Sequence, residues 1–79
     1  MKSNSAFPIY DRFKTRTKDG KEAILDLIER ETGERPLSPA IRQWERKYKR
    51  LPAKFILIIV YECMKKRIKF VDSDFDARA

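Results

Sequence analysis

"AKFILIIVYECMKKRI", residues 53 to 68, is the stretch whose reading decides the fold. Ile56, Ile58, Ile59 and Val60, with the aromatics Phe55 and Tyr61, favour a strand by propensity, and "IKFV" at 68 to 71 could pair with it across "CMKKR". As a helix, the same residues align Phe55, Ile59 and Cys63 along one face with Ile58 beside them. Lys65 to Arg67 then fall at the C-terminal end, where the helix dipole favours cations. A continuous run of 16 residues after a proline is long for a strand, so the helix is preferred. The expected class is therefore all-α, a bundle of about four helices, the alternative being α+β with a C-terminal hairpin at 55–71.

Upstream, "SPAIRQWERKYKR" offers Ser38 as an N-cap and Pro39 at the first helical position, and Leu51-Pro52 closes a helix that runs to about Arg50. With Ile41 at zero and about 100° per residue, Trp44, Tyr48 and Leu51 fall within roughly 80° of it on one side, an apolar stripe that reads as core. The opposite side carries Pro39, Gln43, Arg46 and Arg50, flanked by Arg42 and Lys47. Glu45 is the one acid of the segment and lies near the buried edge.

Before the break at Pro36, "KEAILDLIERETG" repeats Ala23, Ile24, Leu27 and Ile28 at helical spacing. It ends at Gly33, where a C-cap glycine belongs, so a helix is expected over 21 to 32. Its other face, Glu22, Asp26, Glu29, Arg30 and Glu31, reads as solvated surface. "KTRTKDG" at 14 to 20 reads as a surface loop ending in an Asp-Gly turn. Phe7, Ile9, Tyr10 and Phe13 suit a short helical turn packed on the domain, after a loose terminus over residues 1 to 6. The tail from Val71 is acidic and is expected to fray unless Phe70 and Phe75 dock.

The 79 residues suffice for one domain, 1–79, since a chain this short buries only about 60% of its unfolded surface. Hydrophobic residues at 42% against 39% charged fit a folded chain rather than a disordered one. Nineteen Lys and Arg against 12 Asp and Glu leave +7. Acids gather in 19 to 34 and at Asp72, Asp74 and Asp76, whereas Arg42, Arg46, Lys47, Lys49 and Arg50 crowd together. A polyanion is the partner such a distribution suits, nucleic acid first, with an acidic protein or a membrane surface behind it.

A Gln amide can pair two ways with adenine and an Arg guanidinium with guanine, while further cations neutralise phosphates. The free side of 38 to 50 thus has the residue types of a DNA reader. The competing explanation is that these arginines are solvating charges, with Arg46 or Arg50 pairing to the acidic helix.

The order of a helix, a Gly-containing turn, a Ser-started helix with "IRQW", then "KRLPA" at 49 to 53 resembles the helix-turn-helix domains of phage Cro-like repressors and YdaS-type regulators. The resemblance spans roughly residues 7 to 67, with its specific part in Ile41, Gln43, Trp44 and 49 to 53. It implies a small helix-turn-helix bundle in which 38 to 50 is the recognition helix, acting on double-stranded DNA as a transcription regulator and commonly as a homodimer. Gln43 and Arg46 would read bases, Arg42 and Arg50 would meet bases or phosphates, Lys47 and Lys49 phosphates, and Ser38 a base or phosphate. The turn departs from the family pattern, because Glu34, Arg35 and Pro36 separate Thr32-Gly33 from Leu37-Ser38. For a dimer, Ile56, Leu57 and Val60 exceed what one buried helical face needs, although a helix buried on most sides within the monomer would explain them equally.

Enzymatic chemistry is not expected. No histidine is present, Cys63 lies in an apolar run, and two glycines cannot build a phosphate-cradling loop. Asp72, Asp74 and Asp76 alternate as a hard-cation site could, but without the turn glycine and following Glu of a calcium loop. No cofactor, metal or small-molecule substrate is expected. One cysteine excludes an intrachain disulfide and suits a reducing cytoplasm, and "FILIIVY" is far shorter than the roughly 20 residues that span a bilayer, so no membrane partner is expected.

Overall fold

Residues 6–78 are described by a computed structural model. The loose terminus expected over residues 1 to 6 falls on 1–5, outside the described residues, and on Ala6, whose carbonyl accepts the Arg78 backbone N–H at 2.8 Å. Pro8, preset for the first turn of a helix, starts α1 (Pro8–Arg12). This turn presses Phe7, Ile9, Tyr10 and Phe13 into the core. Helix α2 (Gly20–Thr32) buries Ile24, Leu25, Leu27 and Ile28, and Gly33 at φ 86° ends it with its N–H donating to the Glu29 carbonyl at 2.8 Å.

Gly20 is the first residue of α2 rather than the end of a turn, and it is buried. A Cβ there would stand 1.7 Å from the Tyr10 carbonyl oxygen, so only glycine lets α2 begin against the end of α1. The Tyr10 hydroxyl is buried with no hydrogen-bond partner among the described residues. Burial first, then the charges of Glu45 and Asp19, pushes its pKa up.

Residues 53 to 66 form helix α4 (Ala53–Lys66), which removes the alternative of a hairpin at 55–71; the chain is a small all-α bundle. The physical reason is the face. Ile59 and Cys63 are fully buried one turn apart, Phe55 meets Trp44 edge-on at 5.4 Å, and Arg67 in the left-handed region closes the helix. Burying an aliphatic side chain of the size of Ile59 stabilises by about 1.5–3 kcal/mol. Among the described residues no helix is long and apolar enough to cross a membrane.

The tail does not fray. It forms a 3-10 turn, Asp72–Phe75, whose Phe75 is 1% exposed and packs against Phe70 at 5.8 Å. The Asp74 carboxylate accepts the Val71 N–H at 3.1 Å and the Arg12 guanidinium at 3.0 Å, binding the turn to α1.

Candidate nucleic-acid interface

The basic segment is a helix of two kinds rather than one α-helix to Arg50. Helix α3 covers Ser38–Gln43, a single π-helical turn covers Trp44–Tyr48, and Lys49 at φ 56° ends it. Leu37, not Ser38, takes the N-cap position, and its carbonyl accepts the Ile41 N–H at 3.1 Å; Ser38 stands in the first turn. Ile41, Trp44 and Leu51 are buried as expected, but Tyr48 is 60% exposed. The π turn breaks the uniform α register between Trp44 and Tyr48, and Tyr48, its last residue, lies outside the buried stripe. There its ring lies 5.5 Å from the Lys47 ammonium.

Ser38, Arg42, Gln43, Arg46, Lys47 and Lys49 are all exposed. Ser38, Arg42 and Arg46 form one wall of an open cleft of about 360 Å³, and Lys21, Glu22 and Leu25 of α2 form part of the other. The Lys21 ammonium, 3.5 Å from the Glu45 carboxylate, ties the two walls together. Gln43 and Lys47 are exposed outside this cleft.

Arg50 departs from this group. Its guanidinium donates to Asp76 at 2.5 Å and to Asp72 at 3.0 Å, and these bonds, Asp76 first, hold its pKa above the usual value. The backbone seals the contact, with Leu51 N–H donating to the Phe75 carbonyl at 3.1 Å and Ala77 N–H to the Lys49 carbonyl at 2.9 Å. A phosphate or base contact by Arg50 thus requires the tail to let go. The alternating tail carboxylates serve arginines, Asp72 and Asp76 holding Arg50 and Asp74 holding Arg12. Among the described residues no three His, Cys, Asp or Glu cluster as metal ligands would.

The acidic face of α2 is not merely solvated. Arg35, in the turn between α2 and α3, donates to Asp26 at 2.5 Å, Glu22 at 2.6 Å and Glu29 at 3.1 Å. These contacts, Asp26 foremost, raise its pKa, and Lys18 followed by Arg35 lowers that of Asp26. Arg35, rather than Arg46 or Arg50, therefore does the charge matching of the acidic helix. Its position between Glu34 and Pro36, outside any periodic segment, gave no signal of this.

Glu62 of α4 was also missed, since its 3% exposure contradicts the usual surface habit of glutamate. Burial alone would push its carboxyl up, but hydrogen bonds from Lys66 and Arg30 outweigh that and hold it below the usual range. Burial pushes the Cys63 thiol up, away from the reactive thiolate.

With these acids engaged, none among the described residues lies within ion-pair distance of Arg42, Arg46, Lys47 or Lys49. The arrangement suits a polyanion: guanidinium groups one helical turn apart on the cleft wall, an exposed amide on the adjoining face, and ammonium groups at the helix end. Set against protein-family models, curated proteins and solved structures, the chain matches none of them.

Proposed function

We propose that this chain is a sequence-specific DNA-binding transcription regulator of the phage or mobile-element type, related in manner to the Cro-like and YdaS-type helix-turn-helix proteins. It occupies an operator through Ser38 to Lys49, acts in the cytoplasm, and needs neither cofactor nor metal. The observation that carries this reading is the exposed tract of Arg42, Arg46, Lys47 and Lys49 around Gln43, which the acids of the described residues leave unmatched. Gln43 and Arg46 read base edges, Arg42 reads a base or holds a phosphate, and Lys47, Lys49 and Ser38 hold the backbone. Arg50 joins them only when Asp72 and Asp76 release it.

Selection of random duplex DNA by the purified protein, followed by a salt titration, tests this. The expected result is an enriched inverted repeat with half-sites about one helical turn apart, bound by a homodimer, with log affinity falling steeply against log salt. Gln43→Ala is expected to relax one position of that site by about 1–3 kcal/mol. If no sequence is enriched and Gln43→Ala changes nothing, the operator reading is wrong. Binding of the same face to an acidic protein would then take its place.

A further inference from the structure

Helix α4 presents a second surface, facing away from the core that Ile59 and Cys63 fill. Leu57, Tyr61 and Met64 lie at i, i+4 and i+7 and are 71%, 66% and 70% exposed, an apolar ridge where a surface helix ordinarily places polar residues. Beside it runs a groove of about 220 Å³ between α2 and α4, lined by Leu27, Glu31, Leu57, Ile58, Tyr61 and Glu62. A ridge next to a groove is the surface that a second helix packs into.

The charges along the ridge narrow the choice of partner. Lys54 at one end has no acidic partner among the described residues and lies 5.1 Å from the Phe55 ring. Lys65 near the other end reaches Glu62 only at 3.9 Å and lies 5.8 Å from the Tyr61 ring. Arg67 and Lys69 extend that cationic end, and Glu31 across the groove is held by Arg30 at 3.1 Å. A second copy of this chain fits poorly. Antiparallel pairing centred near Tyr61 sets Lys54 of each copy against the Lys65–Arg67 end of the other, and parallel pairing sets like against like. A flat lipid surface would cover the ridge but leave the groove unfilled.

We infer that the outer face of α4 docks an amphipathic helix with acidic borders from a different protein: its apolar side chains enter the groove and its carboxylates meet Lys54 and Lys65. The surface is separate from the DNA-facing tract, and the test uses no DNA.

The probe is a roughly four-turn synthetic peptide with leucines at i, i+4 and i+7 and glutamates along both borders, compared with a twin carrying lysine for glutamate. Titration followed by backbone amide NMR is expected to show the acidic peptide shifting α4 and the end of α2, with affinity falling as salt rises. Leu57→Ser and, separately, Met64→Gln are expected to weaken it roughly tenfold with an unchanged melting temperature, because both side chains are exposed. Lys54→Glu with Lys65→Glu is expected to reverse the preference between the peptides. Failure of the acidic peptide to bind, or equal binding of the twin, overturns the proposal. So does sedimentation as a dimer that Leu57→Ser dissolves, which assigns the ridge to a second copy. Equal ridge-dependent binding to phosphatidylserine vesicles overturns it in favour of a membrane surface.

Discussion

Arg35, just before α3, and Arg42, near its end, meet opposite fates. Arg35 is gripped by Asp26, Glu22 and Glu29 of α2, whereas Arg42, further along the same segment, faces solvent with no acid among the described residues to hold it. The difference separates cations that fasten the fold from cations the fold leaves available. Arg12, Arg30, Arg35 and Arg50 belong to the first kind, each crossing from one element to another: to the tail, to α4, to α2 and to the tail again. Arg42, Arg46, Lys47 and Lys49 belong to the second, the exposed cations of the segment that carries Gln43. Net positive charge alone does not make this distinction.

The sharpest way to break the contrast is to undock the tail that holds Arg50. Phe75→Ala removes a fully buried ring and is expected to cost about 3–5 kcal/mol in urea denaturation, with the Asp72 and Asp76 contacts to Arg50 lost in the same step. Unchanged stability would mean that the tail is not docked.

Next in size is the buried carboxylate. The folded Glu62 carboxyl lies below its ordinary value of 4.5, so its contribution to stability is fully present above that value and is lost as pH falls through the lower folded one. Denaturation at stepped pH is expected to show stability declining below about 4.5, and Glu62→Gln to lower neutral stability and flatten that decline.

A smaller effect is expected from Arg35→Ala, which leaves Glu22 and Glu29 without Arg35 along one face of α2 while Asp26 keeps Lys18. The melting temperature should fall by a few degrees, less at high salt than at low, while DNA affinity stays the same. Arg42→Ala with Arg46→Ala should do the reverse. Stability stays within about 0.5 kcal/mol, and the slope of log affinity against log salt becomes shallower by about two. If Arg42 and Arg46 instead prove to stabilise the fold as Arg35 does, the division between the two kinds of cation fails.

Much of the fold was legible because burial follows periodicity. Ile24, Leu27 and Ile28 marked α2, Gly33 its end, Phe55, Ile59 and Cys63 the face of α4, and Ile41, Trp44 and Leu51 the anchors of the basic segment. What the periodicity missed has definite causes. Tyr48 was assigned to the core because a uniform α increment was carried through Trp44–Tyr48, where the chain widens into a π turn. Gly20 looked like a turn residue because the close approach of the Tyr10 carbonyl comes from an element earlier in the chain.

At the candidate site, the exposure of Arg42, Gln43 and Arg46 could be read from their angle opposite Ile41 and Trp44. Which cations would be matched could not, since each match joins groups far apart in sequence. Arg50 meets Asp72 and Asp76, Arg30 meets Glu62, and Arg12 meets Asp74.

By itself, then, the sequence determined the helices, the apolar stripe that anchors each, and the crowding of positive charge between Arg42 and Arg50, because these depend on neighbours within a few turns of the same chain. Only the tertiary structure decided that Arg35 and Arg50 are held while Arg42 and Arg46 meet no acid among the described residues, that Glu62 is buried as a charge, and that Leu57, Tyr61 and Met64 are exposed among them. Each of those outcomes depends on which distant segment arrives alongside, and short-range periodicity carries no record of that.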